Sequence, residues 1–368
     1  MVTRACGGPK WTRRGPRGPK PSRRYLQDFT DASWVLCVVA SAVGRVHAMT
    51  LFLQRCFDGL FNGAIYASLA LALVLLFAAT GLLNFALGEI GLVGAYSTLV
   101  FATGAVTAEV AIFQPPLRFS DWAARLPGHP FPLPVAIVLG VVVASVLALV
   151  IERIVIRRLD GKPDFVQINA TIALLIIGAA VVTELWGGLP RRFPALFPSD
   201  PDDQFLLGGA RLRYSTLGAW ALLAAMALLL LVLLRKTRVG LAFRAVTSNR
   251  EAAMLSGVPI GRTLAIGWVV ATAIGTVSAV LVATSTILRP GVMVNVLVLS
   301  FASATIGGLD SPRGAVVGGM IVGLTQSLVP GYLGVPSQLA VVPPFVVMTL
   351  LLVFRPRGLF GSAQVVRA

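Results

Sequence analysis

From Ala221 to Leu234 the chain runs for fourteen residues with no side chain that can carry a charge or make a hydrogen bond. In such a segment the backbone N–H and C=O groups are the only polar atoms. Within lipid they can be satisfied internally only by a helix. Nine apolar runs of this general kind recur, at about 56–79, 81–105, 132–151, 165–187, 214–234, 263–288, 293–309, 314–330 and 338–354. Most approach the roughly 20 residues that cross a 30 Å hydrocarbon layer. The whole chain agrees, with 56% hydrophobic and 12% charged residues among 368, and a mean hydropathy of +0.84. Too few polar side chains remain to cover a water-facing surface. The expected fold is all-α, a polytopic transmembrane helical bundle of about eight to ten spans.

The formal net charge of +16 invites a nucleic-acid reading, but its distribution argues against one. Nine of the 31 basic residues precede residue 49, and no basic patch is interleaved with aromatics. From Met49 onward the basic residues sit mainly between apolar runs, where Lys and Arg favour the cytoplasmic side. Segments 151–164, 235–262 and 355–368 carry 13 of them, whereas 107–131 and 187–213 carry six. The first group is therefore expected in the cytoplasm. The second, with its Pro198-Ser199-Asp200-Pro201-Asp202-Asp203 stretch, is expected outside.

Residues 1–48 are expected to form a basic, Pro/Gly-rich, disordered extension. The apolar stretch from Trp34 to Gly44 is too short to span. Translation is expected to begin at Met49, with the membrane domain covering 49–361 and a short tail covering 362–368. Cys6, Cys37 and Cys56 have no metal-ligand spacing, and His47 and His129 are too few and too far apart for a metal or triad site.

Three stretches bear on function. In Gly240 to Pro259, Asn249 can cap a short helix with Glu251 in its first turn, and Gly257 can end it just before Pro259. The result is either a rigid lever for a cytoplasmic motor or an ordinary interfacial helix. In Gly81-Leu82-Leu83-Asn84-Phe85-Ala86-Leu87-Gly88-Glu89, two polar groups and flanking glycines interrupt an apolar run. Such groups either line a water-filled path, together with Asn62 on the preceding run, or bond across helices. In Gly307-Gly308-Leu309-Asp310-Ser311-Pro312-Arg313-Gly314, a tight turn joins two small-residue helices. A phosphate cradle would want a lysine followed by Ser or Thr, and none is present. No G-x-x-x-x-G-K-[ST] occurs anywhere in the chain.

Glu251-Ala252-Ala253 followed by Gly257 resembles the EAA-x-x-x-G coupling motif of ABC importer permeases. The wider loop resembles that of permeases for branched-chain amino acids. The likeness extends from about 51 to 361, through the late glycine segment to Arg355-Pro356-Arg357-Gly358-Leu359-Phe360-Gly361. The resemblance implies that Arg244, Asn249, Glu251, Ala252, Ala253 and Gly257 couple to cytoplasmic ABC ATPase subunits. It implies a translocation pathway involving Asn62, Asn84, Phe85, Gly88, Glu89, Gly307, Gly308 and Gly314. The family's Asn-Phe-Ala-His-Gly-Glu pattern departs here at Leu87, which removes a titratable group from that path. A second permease subunit, a periplasmic or lipoprotein substrate-binding protein and a bacterial inner-membrane location are implied too. No cofactor is expected on this chain, with ATP hydrolysed by the partners.

The competing reading is an ion-coupled secondary transporter of small polar solutes, which would want intramembrane carboxylates. Glu89 and Glu184 are the only acidic residues well within the runs. A membrane-embedded enzyme is disfavoured, because no paired carboxylates, His/Cys cluster or nucleophile motif converges.

Overall fold

The computed structural model describes residues 23–103, 130–197, 204–207, 209–334 and 336–361, with side chains from Met49 onward except at Leu207 and Ser337. The chain divides into two units, Met1–Gln54 with Leu206–Arg211, and Arg55–Phe205 with Leu212–Ala368. In the first, the Gln54 side chain accepts a hydrogen bond from the Arg211 N–H at 2.9 Å. Every site discussed below lies in the second.

In chain order the elements are α1 (Arg23–Thr80), α2 (Leu87–Thr103), α3 (Leu133–Ile151), α4 (Asp164–Trp186), the hairpin β1 (Gln204–Leu207) and β2 (Ala210–Arg213), and α5 (Tyr214–Lys236). Then come α6 (Arg238–Ser248), α7 (Arg250–Leu255), α8 (Ile260–Ser285), α9 (Val292–Gly307), α10 (Pro312–Leu333) and α11 (Val342–Phe354). A helix thus stands at each of the nine apolar runs. Helical backbone also begins at Arg23, inside the stretch expected to be without structure, while residues 1–22 lie outside the described residues.

Among the described residues six helices are long and apolar enough to cross a membrane: Met49–Thr80, Leu133–Leu159, Asp164–Trp186, Tyr214–Lys236, Ile260–Ser285 and Pro312–Leu333. Three are shorter: α2, α9 and α11, of 17, 16 and 13 residues. The shortening of α2 has a local cause. The run read as 81–105 begins with Gly81 at φ +72° and a non-helical loop, so the helix starts only at Leu87.

Burial sorts the helices into a core and a rim. Every residue of α2 from Leu87 to Phe101 is buried. By contrast α4 leaves Phe165, Ile176 and Ile177 more than half exposed, and α5 does the same with Leu228 and Leu229. Such apolar rims would be a liability in water, and they match hydrocarbon. Small residues let the core helices close in where hydrophobic burial gives no drive. A methyl group added at Gly91 of α2 would come within 2.7 Å of the Gly275 carbonyl oxygen of α8. One added at Gly140 of α3 would sit 2.5 Å from the Gly94 carbonyl oxygen. The contact of α1 with α10 uses the same device at Gly63 and Gly319, flanked by hydrogen bonds from Tyr66 to Gln326 (2.6 Å) and from Ser327 to the Arg55 carbonyl (2.7 Å).

The loops group as the charge asymmetry requires. The turn after α3 touches the start of α8, where the Arg157 guanidinium donates to the Gly261 carbonyl oxygen at 3.0 Å. At the other end of α8, Arg191 and Leu288 exchange backbone hydrogen bonds of 2.8 and 3.0 Å. Segments 151–164 and 249–262 therefore share one face, and 187–191 shares the other with 286–291.

Candidate coupling segment and interior polar site

Between α5 and α8 the chain folds into two short helices at a right-sized joint for rigidity. Thr237 caps α6, its hydroxyl accepting from the Gly240 N–H at 3.0 Å. The amphipathic α6 buries Gly240, Phe243 and Val246, and Phe243 packs against Gly267 of α8. Asn249 then does two jobs. Its N–H closes α6 onto the Ala245 carbonyl at 3.1 Å, and its side-chain oxygen caps α7 by accepting from the Ala252 N–H at 3.0 Å. Replacing such a cap by alanine costs about 1 kcal/mol.

Gly257, at φ +78°, ends α7. The Gly257 N–H bonds the Met254 carbonyl and the Val258 N–H bonds the Ala253 carbonyl, both at 3.0 Å. This nested pair satisfies carbonyls that a helix end otherwise leaves open. Ala253 turns inward to a small core with Val246 and Ile260. Facing out are Arg244, Glu251, Ala252 and two large apolar side chains, Met254 at 54% and Leu255 at 91% exposure. The sequence-expected cap, acid and glycine thus stand where they were placed. Sequence reasoning passed over Arg250, which pairs with Asp160 of the loop before α4. Partners 90 residues apart leave no local signal.

The second site is the break between α1 and α2. The Asn84 side-chain oxygen accepts from the Ala86 N–H at 3.0 Å, holding the loop in shape, while its amide nitrogen has no hydrogen-bond partner among the described residues. Glu89 occupies the first turn of α2, where the helix dipole favours a carboxylate. It is 1% exposed, and among the described residues neither carboxylate oxygen has a hydrogen-bond partner. Its Cβ lies against Gly178 of α4, which leaves it room. Two turns further on, buried Tyr96 stacks on Trp186 with ring centroids 5.3 Å apart, and its hydroxyl is also without a partner. The Thr272 and Thr276 hydroxyls of α8 and the Ser300 hydroxyl of α9 share that condition. Each buried unsatisfied group costs about 1–3 kcal/mol. These groups stand on three core helices, α2, α8 and α9.

The remaining expected pathway residues separate. Phe85 is half-buried in the loop, and Gly88 packs against Met293 and Leu297 of α9. Leu87, where the family pattern has histidine, is fully buried and faces Gly275. Asn62 lies within the continuous helix α1, beside Gly63, which packs on Gly319 of α10, and three residues before Ile65, whose carbonyl accepts from the Ser278 hydroxyl of α8 at 3.4 Å. Gly307 and Gly314 meet backbone to backbone, closer than any side chain could permit. Gly308, at φ +104°, closes α9, and Ser311 caps α10 by accepting from the Gly314 N–H at 3.2 Å. The C-terminal segment locks this joint, with the Leu359 and Phe360 N–H groups bonding the Ile306 and Gly307 carbonyls at 2.9 Å. Among the described residues no group of three or more His, Cys, Asp or Glu could hold a metal ion.

The family model described as branched-chain amino acid transport system / permease component matches residues 55–353. Similar proteins include the high-affinity branched-chain amino acid transport system permease protein LivH of Salmonella typhimurium. It is 24% identical over 320 residues, covering 85% of this chain and 97% of the relative. BraD of Pseudomonas aeruginosa, described in the same words, matches with the same identity and coverage. A probable branched-chain amino acid transport permease protein LivH of Methanocaldococcus jannaschii is 26% identical over 275 residues, covering 72% of this chain and 77% of its own. Among solved structures, PsaBC from Streptococcus pneumoniae in complex with Fab is a distant likeness. It shows 12% identity and a TM-score of 0.40, covering 81% of this chain and 90% of that one.

Proposed function

The chain belongs to the branched-chain amino acid transport system permease family, and we propose that it is the membrane-spanning subunit of an ATP-driven importer of branched-chain or related small amino acids. It carries no ATPase site of its own. Two cytoplasmic ATPase subunits close on ATP and press on the α6–α7 segment, which is why that segment is capped at both ends and cored from within. A second permease subunit completes the pathway, and a periplasmic or lipoprotein binding protein delivers the solute. The segment lies on the cytoplasmic face of the inner membrane, as the basic loops around it favour.

The observation that carries this reading is α7 itself. A six-residue helix stabilised by Asn249, closed at Gly257 and presenting Glu251, Met254 and Leu255 outward is built to transmit force rather than to bury its own apolar side chains. Ala253 of α7 packs on Ile260, the first residue of α8, so a push at α7 reaches the helix whose Gly275 packs on Leu87 and Gly91 of α2.

Glu89 gives the ion-coupled reading its one specific support, since a lone interior carboxylate is what a coupling ion would use. Uptake of L-leucine by cells expressing the complete system separates the two. Uptake that persists when a protonophore collapses the proton gradient while ATP is maintained, and stops when ATP is depleted with the gradient intact, supports the importer. The reverse pattern overturns it.

A further inference from the structure

The chain leaves α3 through a π turn at Glu152–Ile156, where the Arg157 N–H bonds the Glu152 carbonyl five residues back. Such turns recur at functional sites. In an α-helix the side chains that meet are three or four apart, and residues five apart stand roughly 140° from each other around the axis. The wider turn brings such a pair together. The Arg157 Nε and Nη2 donate to Glu152 Oε1 at 3.2 and 3.1 Å, and Nη2 also reaches Oε2 at 3.3 Å. Glu152 is buried, at 4% exposure, so its carboxylate fixes the guanidinium from within. The same Nη2 donates onward to the Gly261 carbonyl oxygen of α8 at 3.0 Å. A methyl group added at Gly261 would lie 3.3 Å from that nitrogen, so glycine keeps the approach open.

Gly261 is the second residue of α8, just behind the coupling helix α7 and its closing turn at Gly257. Arg250, the first residue of α7, pairs with Asp160, three residues beyond Arg157. Segment 250–261 is therefore tied at both ends to the single segment 152–160. The ties are unequal. Arg250 and Asp160 are each 41% exposed, and such a pair in water holds little. Glu152 is out of water, so loss of Arg157 would strand a buried charge. Between the ties lies a cavity of about 260 Å³, lined among others by Glu152, Arg157, Asp160, Arg250, Gly261 and Trp268. Across that gap the polar bonds, rather than packing, join segment 250–261 to the end of α3.

We propose that Glu152 and Arg157 are positioning residues for energy coupling, fastening the joint between α7 and α8 to α3 so that displacement of α7 moves α3 and α8 together. The proposal rests on the reading of the chain as an ATP-driven importer, and it adds a second route to the one through Ala253 and Ile260. The route continues because α3 and α2 are closely fitted. A methyl group added at Gly94 of α2 would lie 3.0 Å from the Ala144 Cβ of α3, and one at Gly140 would lie 2.5 Å from the Gly94 carbonyl oxygen. Movement of α3 thus passes directly to the helix that carries Glu89.

The test is the ATP hydrolysed per L-leucine accumulated, with both measured in proteoliposomes that hold the complete system. Glu152→Leu with Arg157→Met replaces the pair by apolar side chains, a change that commonly keeps or raises stability. This double variant should insert with an undiminished melting midpoint yet hydrolyse about tenfold more ATP per leucine, as loss of the charged bond to Gly261 predicts. A wild-type ratio at an undiminished midpoint overturns the proposal, because the pair then only staples the end of α3. Should the double variant fail to fold, Arg157→Lys decides, since it keeps the charge but cannot grip both carboxylate oxygens and the Gly261 carbonyl at once. A raised ratio there supports the proposal, and an unchanged one overturns it. Leucine uptake by the unmodified system without ATP would overturn the importer reading and the clamp together. ATP-driven uptake with an unaltered ratio in the folded variants removes the clamp alone.

Discussion

Glu89 is a carboxylate with 1% of its surface exposed and, among the described residues, no hydrogen-bond partner for either oxygen. Interior ionisable groups of this kind lower stability and are kept for function. Two substitutions should therefore pull stability and activity apart. Glu89→Gln is expected to lower L-leucine uptake about tenfold per inserted molecule, a single charged interaction lost. Glu89→Leu, which removes the unsatisfied group, should abolish uptake yet raise the melting midpoint in detergent by about 2–4 °C. A fall in both quantities would make Glu89 a structural residue. Gly257 makes a second single-residue case, because its φ of +78° costs a non-glycine side chain about 1–2 kcal/mol. Gly257→Val should unwind the end of α7 and stop uptake at a normal level of inserted protein. Gly257→Asn should retain more, since asparagine tolerates that backbone. Equal transport by the two would remove the helix ending from the mechanism.

The elements divide between those that approach backbone to backbone and those that meet lipid. Gly91→Leu places a side chain where 2.7 Å separates an added carbon from the Gly275 carbonyl oxygen. It should destabilise the bundle by about 1–3 kcal/mol or more, read as a lower melting midpoint. Val138→Leu on the rim of α3, a position 62% exposed, should leave the midpoint unchanged. Much at this scale was legible beforehand. The nine runs became helices because a lipid-facing or core segment has only its own backbone to bond with. Asn249, Glu251 and Gly257 acted at α7 as local chemistry dictates. Which helices form the core was not legible from hydropathy, since lipid and protein interior are equally apolar. Gly91, Gly94 and Gly140 held that information in their size, but their partners Gly275, Thr276 and Thr98 appear only in three dimensions.

For the molecule as a whole, charge asymmetry along the sequence paired the loops correctly, as the Arg157–Gly261 and Arg250–Asp160 contacts attest. What it could not supply was the cavity those contacts enclose, because Asp160 and Arg250 are separated by two long helices, α4 and α5. Nor could residue type alone separate Asn62, inside the continuous helix α1, from Asn84 in the loop and Glu89 in the first turn of α2. The account depends above all on α7 facing the compartment that holds ATP. Cysteine placed at Leu255, 91% exposed, in a background without Cys6, Cys37 and Cys56, can be labelled with a membrane-impermeant maleimide. Labelling in inside-out vesicles, with none in right-side-out vesicles, is the predicted result. Labelling of intact right-side-out vesicles would put the helix outside and contradict the account.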